Sequence, residues 1–337
     1  MHLFEAIILG LVQGLTEFLP VSSSAHLRIM GEFLPSAEDP GATFTAITQI
    51  GTELAVLVYS WGKIVRIISH WPKSLTGRVP RNDPDARMGW IVIIGTIPIG
   101  IAGYLFQESI RNTFRNLWLV AIVLIVFGLL LGAADALGRR TRTEKDLTYG
   151  HGLALGLAQM LALVPGVSRS GATTTMGLAL GYTRPAAAEV AFLLAVPAVF
   201  GSGLYELVQA IKDPGDQVYN MFETGVAPVV AFGVGLAVIA FLMRYLKRGS
   251  FLPFVLYRLA LGILLIILLS FGGSGGPGLP GPSPPRRRYR SNSCAMASPD
   301  ASGESQVSRV CSSWWMYSVI SSSSAAAASI DASQASA

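Results

Sequence analysis

Leu9 to His26 reads LGLVQGLTEFLPVSSSAH, and Leu155 to Ala172 reads LGLAQMLALVPGVSRSGA. The two stretches align without a gap at a constant offset of 146, so Gln13 falls on Gln159 and Ser22-Ser23-Ser24 on Ser168-Arg169-Ser170. Each is a short apolar run, a proline turn rich in hydroxyls, and a second short apolar run. Residues before proline avoid the α region, so a helix should stop at Pro20 and again near Pro165. Apolar runs of about 10–14 residues are too short to span a bilayer and suit re-entrant segments. Irregular backbone at membrane depth survives only where protein or a wet cavity surrounds it. These two turns therefore mark where function should be sought.

The rest of the chain reads as membrane protein. Of its 337 residues 51% are hydrophobic and 13% charged, with a mean hydropathy of +0.52. Soluble domains carry about 25% charged residues, so lipid is the expected solvent. Six segments have the length and apolarity of spans: roughly 43–69, 88–106, 117–137, 187–211, 225–246 and 252–271. The interrupted segments are about 3–32 and 150–180. The expected fold is an all-α polytopic membrane protein with six transmembrane helices and two re-entrant helix hairpins. It forms one membrane-embedded catalytic domain over 1–271, with repeats at about 3–137 and 150–271. A second echo, at an offset of 140, sets Leu54-Ala55-Val56 on Leu194-Ala195-Val196. Three spans per half is an odd number, so the repeats should have inverted topology, which places a site near the midplane where broken helices meet.

Net charge is +5 and the pI about 9.3, a basic excess to be read loop by loop. Lys63, Arg66, Lys73, Arg78, Arg81, Arg87, Arg139, Arg140, Arg142, Lys145, Arg184, Arg244, Lys247 and Arg248 fall on one side of this topology. Arg28, Arg111, Arg115 and Lys212 fall on the other. The first side is expected to be cytoplasmic. No basic and aromatic interleaving suggests nucleic acid as a partner. Cys294 and Cys311 form no metal or disulfide framework, and the start lacks the features of a cleavable signal peptide. Residues 272–337, with Arg286-Arg287-Arg288 and a Ser/Ala-rich end, are expected to be a low-complexity, disordered tail. A spurious extension from a shifted reading frame would also produce such a segment.

In the first turn, Gln13 and Glu17 are four apart and share a helix face. Ser22, Ser23, Ser24 and His26 follow within a few residues. Carboxylate, hydroxyl and imidazole together can hold a metal, supply a nucleophile and move a proton. The bland alternative has the serines as helix caps and His26 as a satisfied buried histidine. An acid at membrane depth, by contrast, is costly and usually functional. In the second turn, Gly166, Ser168, Arg169, Ser170 and Thr173 surround a new helix start, where N–H groups and a fork-shaped guanidinium suit a phosphate. Gln49, Glu53 and Glu189 could support the site or bond across helices, with structural use the expected one, and His2, His70 and His151 read as interface residues.

The stretch Gly14-Leu15-Thr16-Glu17-Phe18-Leu19-Pro20-Val21-Ser22-Ser23-Ser24-Ala25-His26, with Pro165-Gly166-Val167-Ser168-Arg169-Ser170-Gly171-Ala172-Thr173, resembles the undecaprenyl-diphosphatase family, also called bacitracin-resistance proteins. Phe192 to Pro197 and Phe251 to Arg258 add to the likeness, which covers about residues 3–271. The resemblance implies hydrolysis of undecaprenyl diphosphate to the monophosphate and inorganic phosphate, recycling the lipid carrier of peptidoglycan synthesis and conferring bacitracin resistance. It implies a multi-pass protein of the bacterial plasma membrane, a site opening to the extracytoplasmic side, and a divalent cation, Mg²⁺ or Ca²⁺. The expected partners are the polyprenyl diphosphate and membrane lipids, with a homodimer allowed for. On this reading Glu17 and Gln13 hold the metal and Ser23 is the preferred nucleophile. His26 shuttles protons, and Arg169 binds the phosphoryl group together with Ser22, Ser24, Gly166, Ser168, Ser170 and Thr173. Direct attack by water, or by His26, stays open. The family's first motif begins with Glu or Gln, and Gln13 takes the neutral form. The rival from another class is a transporter of the lipid or its headgroup, since broken helices and inverted repeats also build transporters; a non-catalytic scaffold is the third.

Overall fold

The computed structural model describes residues 2–34, 40–80, 82–106, 116–212 and 219–272. Helices dominate, and among the described residues the only β pairing is an isolated bridge between Arg142 and Tyr182. We number the helices α1 His2–Thr16, α2 Ser23–Phe33, α3 Gly41–Tyr59, α4 Trp61–Leu75, α5 Pro84–Leu105, α6 Leu117–Leu137, α7 Tyr149–Met160, α8 Arg169–Ala179, α9 Arg184–Lys212, α10 Met221–Tyr245 and α11 Leu252–Gly272. Six of these, α3, α5, α6, α9, α10 and α11, are long and apolar enough to cross a membrane. Their outward faces expose residues such as Ile97, Ile101, Leu129, Val229 and Phe241, as lipid-facing helices should. Arg81, Arg111, Arg115 and the segment 273–337 lie outside the described residues.

One expected span is shorter than the sequence suggests. The 43–69 segment breaks at Ser60, whose amide closes α3 on Val56 O and whose carbonyl opens α4 through Lys63 and Ile64. The reason is a change of pattern. Trp61, Val65 and Ile68 line one face of α4 and are exposed, while Lys63, Arg66, His70 and Lys73 occupy the other. Such a helix belongs in an interface rather than across a bilayer. It packs on α5 through Trp71, against Gly89 and edge-on to Trp90.

The repeat appears in how the helices pair. α1 packs on α10, and its counterpart α7 packs on α5, which is the counterpart of α10. Small residues make both contacts. Gly10 sits against the Ala227 carbonyl, and Gly156, 146 residues later, against the backbone of Gly95. Close backbone approach through small residues is how helices associate without a hydrophobic driving force. α3 with α9, and α6 with α11, pair with their own counterparts. The central core runs through Phe18, Ile91, Leu131, Leu155, Phe192 and Leu194, so apolar side chains of both hairpins enter it.

Four of the basic residues expected on one side, Lys63, Arg87, Arg142 and Arg184, tie connecting segments to one another. Lys63 bonds Glu144 and Glu189, Arg87 the Lys145 carbonyl, and Arg142 the Leu180 carbonyl. Arg184 grips Asp135 at 2.6 and 3.1 Å, and Asp135 also accepts from the Phe251 amide. These ties join the connections after α3, α4, α6, α8 and α10.

Candidate active site at the two turns

The two turns are built alike. After α1 ends, the chain passes Pro20 and reaches Ser22 at φ 74°; after α7 and a short 3-10 turn it passes Pro165 and reaches Ser168 at φ 70°. A left-handed φ on a serine stores strain, of order 1–3 kcal/mol, and persists only when its surroundings fix it. Here each serine caps the helix that follows. Ser22 Oγ accepts from the Ala25 amide at 3.4 Å and Ser168 Oγ from the Gly171 amide at 3.1 Å. Each also meets the hydroxyl two residues on, Ser24 at 3.3 Å and Ser170 at 3.2 Å. Ser22 and Ser168 thus spend their side chains on capping.

Arg258 of α11 holds the turns together. Its side chain is fully buried, and its guanidinium donates to Pro20 O at 3.0 Å, Val167 O at 3.1 Å, Gly166 O at 2.7 Å and Leu124 O at 3.2 Å. Gly166 supplies its carbonyl from a φ of 98°, where a Cβ would be strained and would crowd Val120 and Val123. Ser170 adds a second tie, reaching Glu17 O at 3.0 Å and Leu19 O at 3.3 Å across the repeat.

The polar centre lies between these clamps. Glu17 is 8% exposed, and its Oε2 accepts from Ser23 Oγ at 2.5 Å and from Gln13 Nε2 at 2.7 Å. Its other oxygen is 3.8 Å from Arg169 Nη2, and Arg169 donates to Gln49 Oε1 at 3.0 Å. A buried hydroxyl, a carboxylate able to take its proton and a guanidinium at a helix N-terminus are therefore adjacent. That set can attack, deprotonate and hold an anion. Thr173 Oγ1 and Gln13 Oε1 are buried without a hydrogen-bond partner, and so is Oε2 of Glu53, one turn beyond Gln49. Hard oxygen acceptors left unpaired beside a carboxylate fit a divalent cation of the Mg²⁺ or Ca²⁺ kind.

Of the residues singled out by sequence, Gln13, Glu17, Ser23, Arg169 and Ser170 come together. His26 makes its hydrogen-bond contacts with other groups. Its Nδ1 is 2.7 Å from Ser22 O, so Nδ1 carries the proton, and Nε2 lies 2.6 Å from Tyr257 Oη. The geometry hands the Ser23 proton to Glu17. Of the two uses open to Gln49, support of the site is the one its bond to Arg169 fits, whereas Glu189 binds Lys63. Arg258 and Tyr257 had no role assigned by residue chemistry. An arginine in the middle of an otherwise apolar helix was the available signal. A separate cluster, His70 with Asp83 and Asp85, could reach a metal, but Arg66 and the Ala86 amide already engage its carboxylates.

The chain matches the family described as Bacitracin resistance protein BacA over residues 6–264. It is 66% identical over 272 residues to the undecaprenyl-diphosphatase of Clavibacter michiganensis subsp. michiganensis, covering 81% of this chain and 98% of that protein. To that of Micrococcus luteus it is 63% identical over 269 residues, 80% and 97% of the two chains. To that of Thermobifida fusca it is 58% identical over 273 residues, 81% and 92%.

Proposed function

The chain belongs to the Bacitracin resistance protein BacA family, and from that membership we propose that it hydrolyses undecaprenyl diphosphate to undecaprenyl phosphate and inorganic phosphate. It thereby recycles the carrier lipid for peptidoglycan synthesis and confers bacitracin resistance. One observation carries the chemistry. Ser23 Oγ stands 2.5 Å from Glu17 on one hairpin, with Arg169 of the other hairpin 3.8 Å from the same carboxylate.

Ser23 attacks the terminal phosphorus while Glu17 accepts its proton. The Ser–O–P bond forms as the bond to the lipid phosphate breaks, and undecaprenyl phosphate leaves. Water then cleaves the phosphoserine, releasing inorganic phosphate and returning the proton to Ser23. Arg169, fixed by Gln49, binds the non-bridging oxygens and meets charge that grows in the transition state. The free amides at the start of α8 and the Thr173 hydroxyl complete the phosphate cradle, shaped by Gly166, Ser168 and Ser170 on one side and Ser22 and Ser24 on the other. His26, neutral and paired with Tyr257, flanks the cradle as a proton-exchanging group. Glu17 and Gln13 would hold a Mg²⁺ or Ca²⁺ ion, which neutralises diphosphate charge when bound.

The hairpins α1–α2 and α7–α8 are re-entrant from opposite faces of the plasma membrane. Helices of 15, 11, 12 and 11 residues support this, because about 20 are needed to cross. The excess of Lys and Arg in the connections on one side supports a cytoplasmic location for that side, with the site opening to the extracytoplasmic side. Purified protein should release phosphate from a polyprenyl diphosphate, and chelator should stop it. Movement of the intact lipid between leaflets without phosphate release would support the transporter instead.

A further inference from the structure

We propose that Glu53 is a second carboxylate ligand for the divalent cation, sharing the ion with Glu17; this rests on the metal-dependent reading of the site. Glu53 sits on α3 one turn beyond Gln49, the residue that fixes Arg169. It is 1% exposed, its Oε2 has no hydrogen-bond partner, and it interacts electrostatically with both Arg169 and Glu17.

An ionised carboxylate with a buried, unpartnered oxygen is costly unless a cation compensates it. The positive charge nearby does not cover it. Arg169 already faces Glu17 and Gln49, Arg258 directs its guanidinium to main-chain carbonyls, and His26 turns its ring to Ser22 O and Tyr257 Oη. Two carboxylates and one shared arginine leave a negative excess that a divalent cation offsets.

The first hairpin also has too few anionic ligands of its own. Gln13 is neutral, and Glu17 Oε2 is committed to Gln13 and Ser23. Mg²⁺ is commonly held by one or two carboxylates together with substrate phosphates. Glu53 brings the number of protein carboxylates from one to two, and Gln13 Oε1, also buried and unpartnered, is a neutral third oxygen.

The test is Mn²⁺ binding to the purified full chain in detergent without lipid, followed by the loss of the free-ion EPR signal, since oxygen ligands of this kind accept Mn²⁺. E53Q should raise the Kd for Mn²⁺ at least tenfold, E53D should fall between it and the unmodified chain, and E17Q should also weaken binding. Thermal unfolding reports whether each variant is folded, and should E53Q not fold, E53D carries the test alone. Undiminished Mn²⁺ affinity in folded E53Q, or in E53D if it stands alone, with E17Q weakened, overturns the assignment of Glu53 and leaves the metal reading intact. If the unmodified chain binds no Mn²⁺, or E17Q binds it equally well, the metal reading itself falls and takes Glu53 with it.

Discussion

Replacing Arg258 with methionine keeps an unbranched apolar stem but removes the guanidinium that four carbonyls share. Those carbonyls belong to both turns and to α6. A hydrogen bond to a charged donor contributes about 1.5–3 kcal/mol, and a buried acceptor left unpaired costs about 1–3 kcal/mol. The contributions are not additive, and removing the charge recovers its own desolvation. A net loss of about 3–5 kcal/mol is therefore expected, the range for breaking a buried charged contact. At about 2–4 °C per kcal/mol for a domain of this size, the unfolding midpoint should fall by on the order of 10 °C. Activity should fall further than stability. Glu17 and Ser23 approach from one turn and Arg169 from the other, and a displacement of about 1 Å between reacting groups can cost about 10²-fold. R258K retains the charge without the fork, so it should lie between. Differential scanning fluorimetry in detergent and phosphate release on the same preparations measure both. R258M with an unchanged midpoint and unchanged turnover would refute the clamp.

Other perturbations probe the packing and the caps. G156L should lower the unfolding midpoint sharply, because its Cβ meets the Gly95 backbone, and G10L should do the same against Ala227; overpacking typically costs about 1–3 kcal/mol. At Ser168 the midpoint should order as unmodified, then S168G, then S168A. Alanine loses the cap, about 1 kcal/mol, and must also adopt a φ of 70° that glycine accepts freely. Asp83 caps α5 outside the membrane. Burial pushes its carboxyl up, but bonds from the Ala86 amide and His70 outweigh this and hold it below the usual carboxylate value. Its stabilisation is thus complete above the ordinary carboxylate pKa and disappears as pH falls through the depressed one. D83A should accordingly lose about 1 kcal/mol at neutral pH and little at strongly acidic pH, as read from unfolding midpoints against pH.

Much of this was legible in the chain itself. The prolines and the Ser-x-Ser frame located both turns, and the offset of 146 aligned Ser22 with Ser168, which share one backbone conformation in the structure. The Gln13–Glu17 pair followed from helical spacing. Contacts between distant segments were not legible. Nothing local to Gln49 or Arg258 says that the first fixes Arg169 or that the second bridges Pro20 and Gly166, because those partners are brought near only by packing. The break at Ser60 was hidden for another reason. Apolar residues continue beyond it, and only their angular distribution separates a span from the amphipathic α4. His26 illustrates a third case, since its contact with Tyr257, 231 residues away, could not be read from the residues around it.

The central claim is that two hairpins, each incomplete, form one phosphatase site. Its most direct measurement is the initial rate of phosphate release from undecaprenyl diphosphate by folded E17Q and folded R169A, each compared with the unmodified chain. The account predicts that both fall at least 10²-fold, since one removes the proton acceptor on the first hairpin and the other the phosphoryl clamp on the second. Near-normal turnover by either folded variant would contradict it.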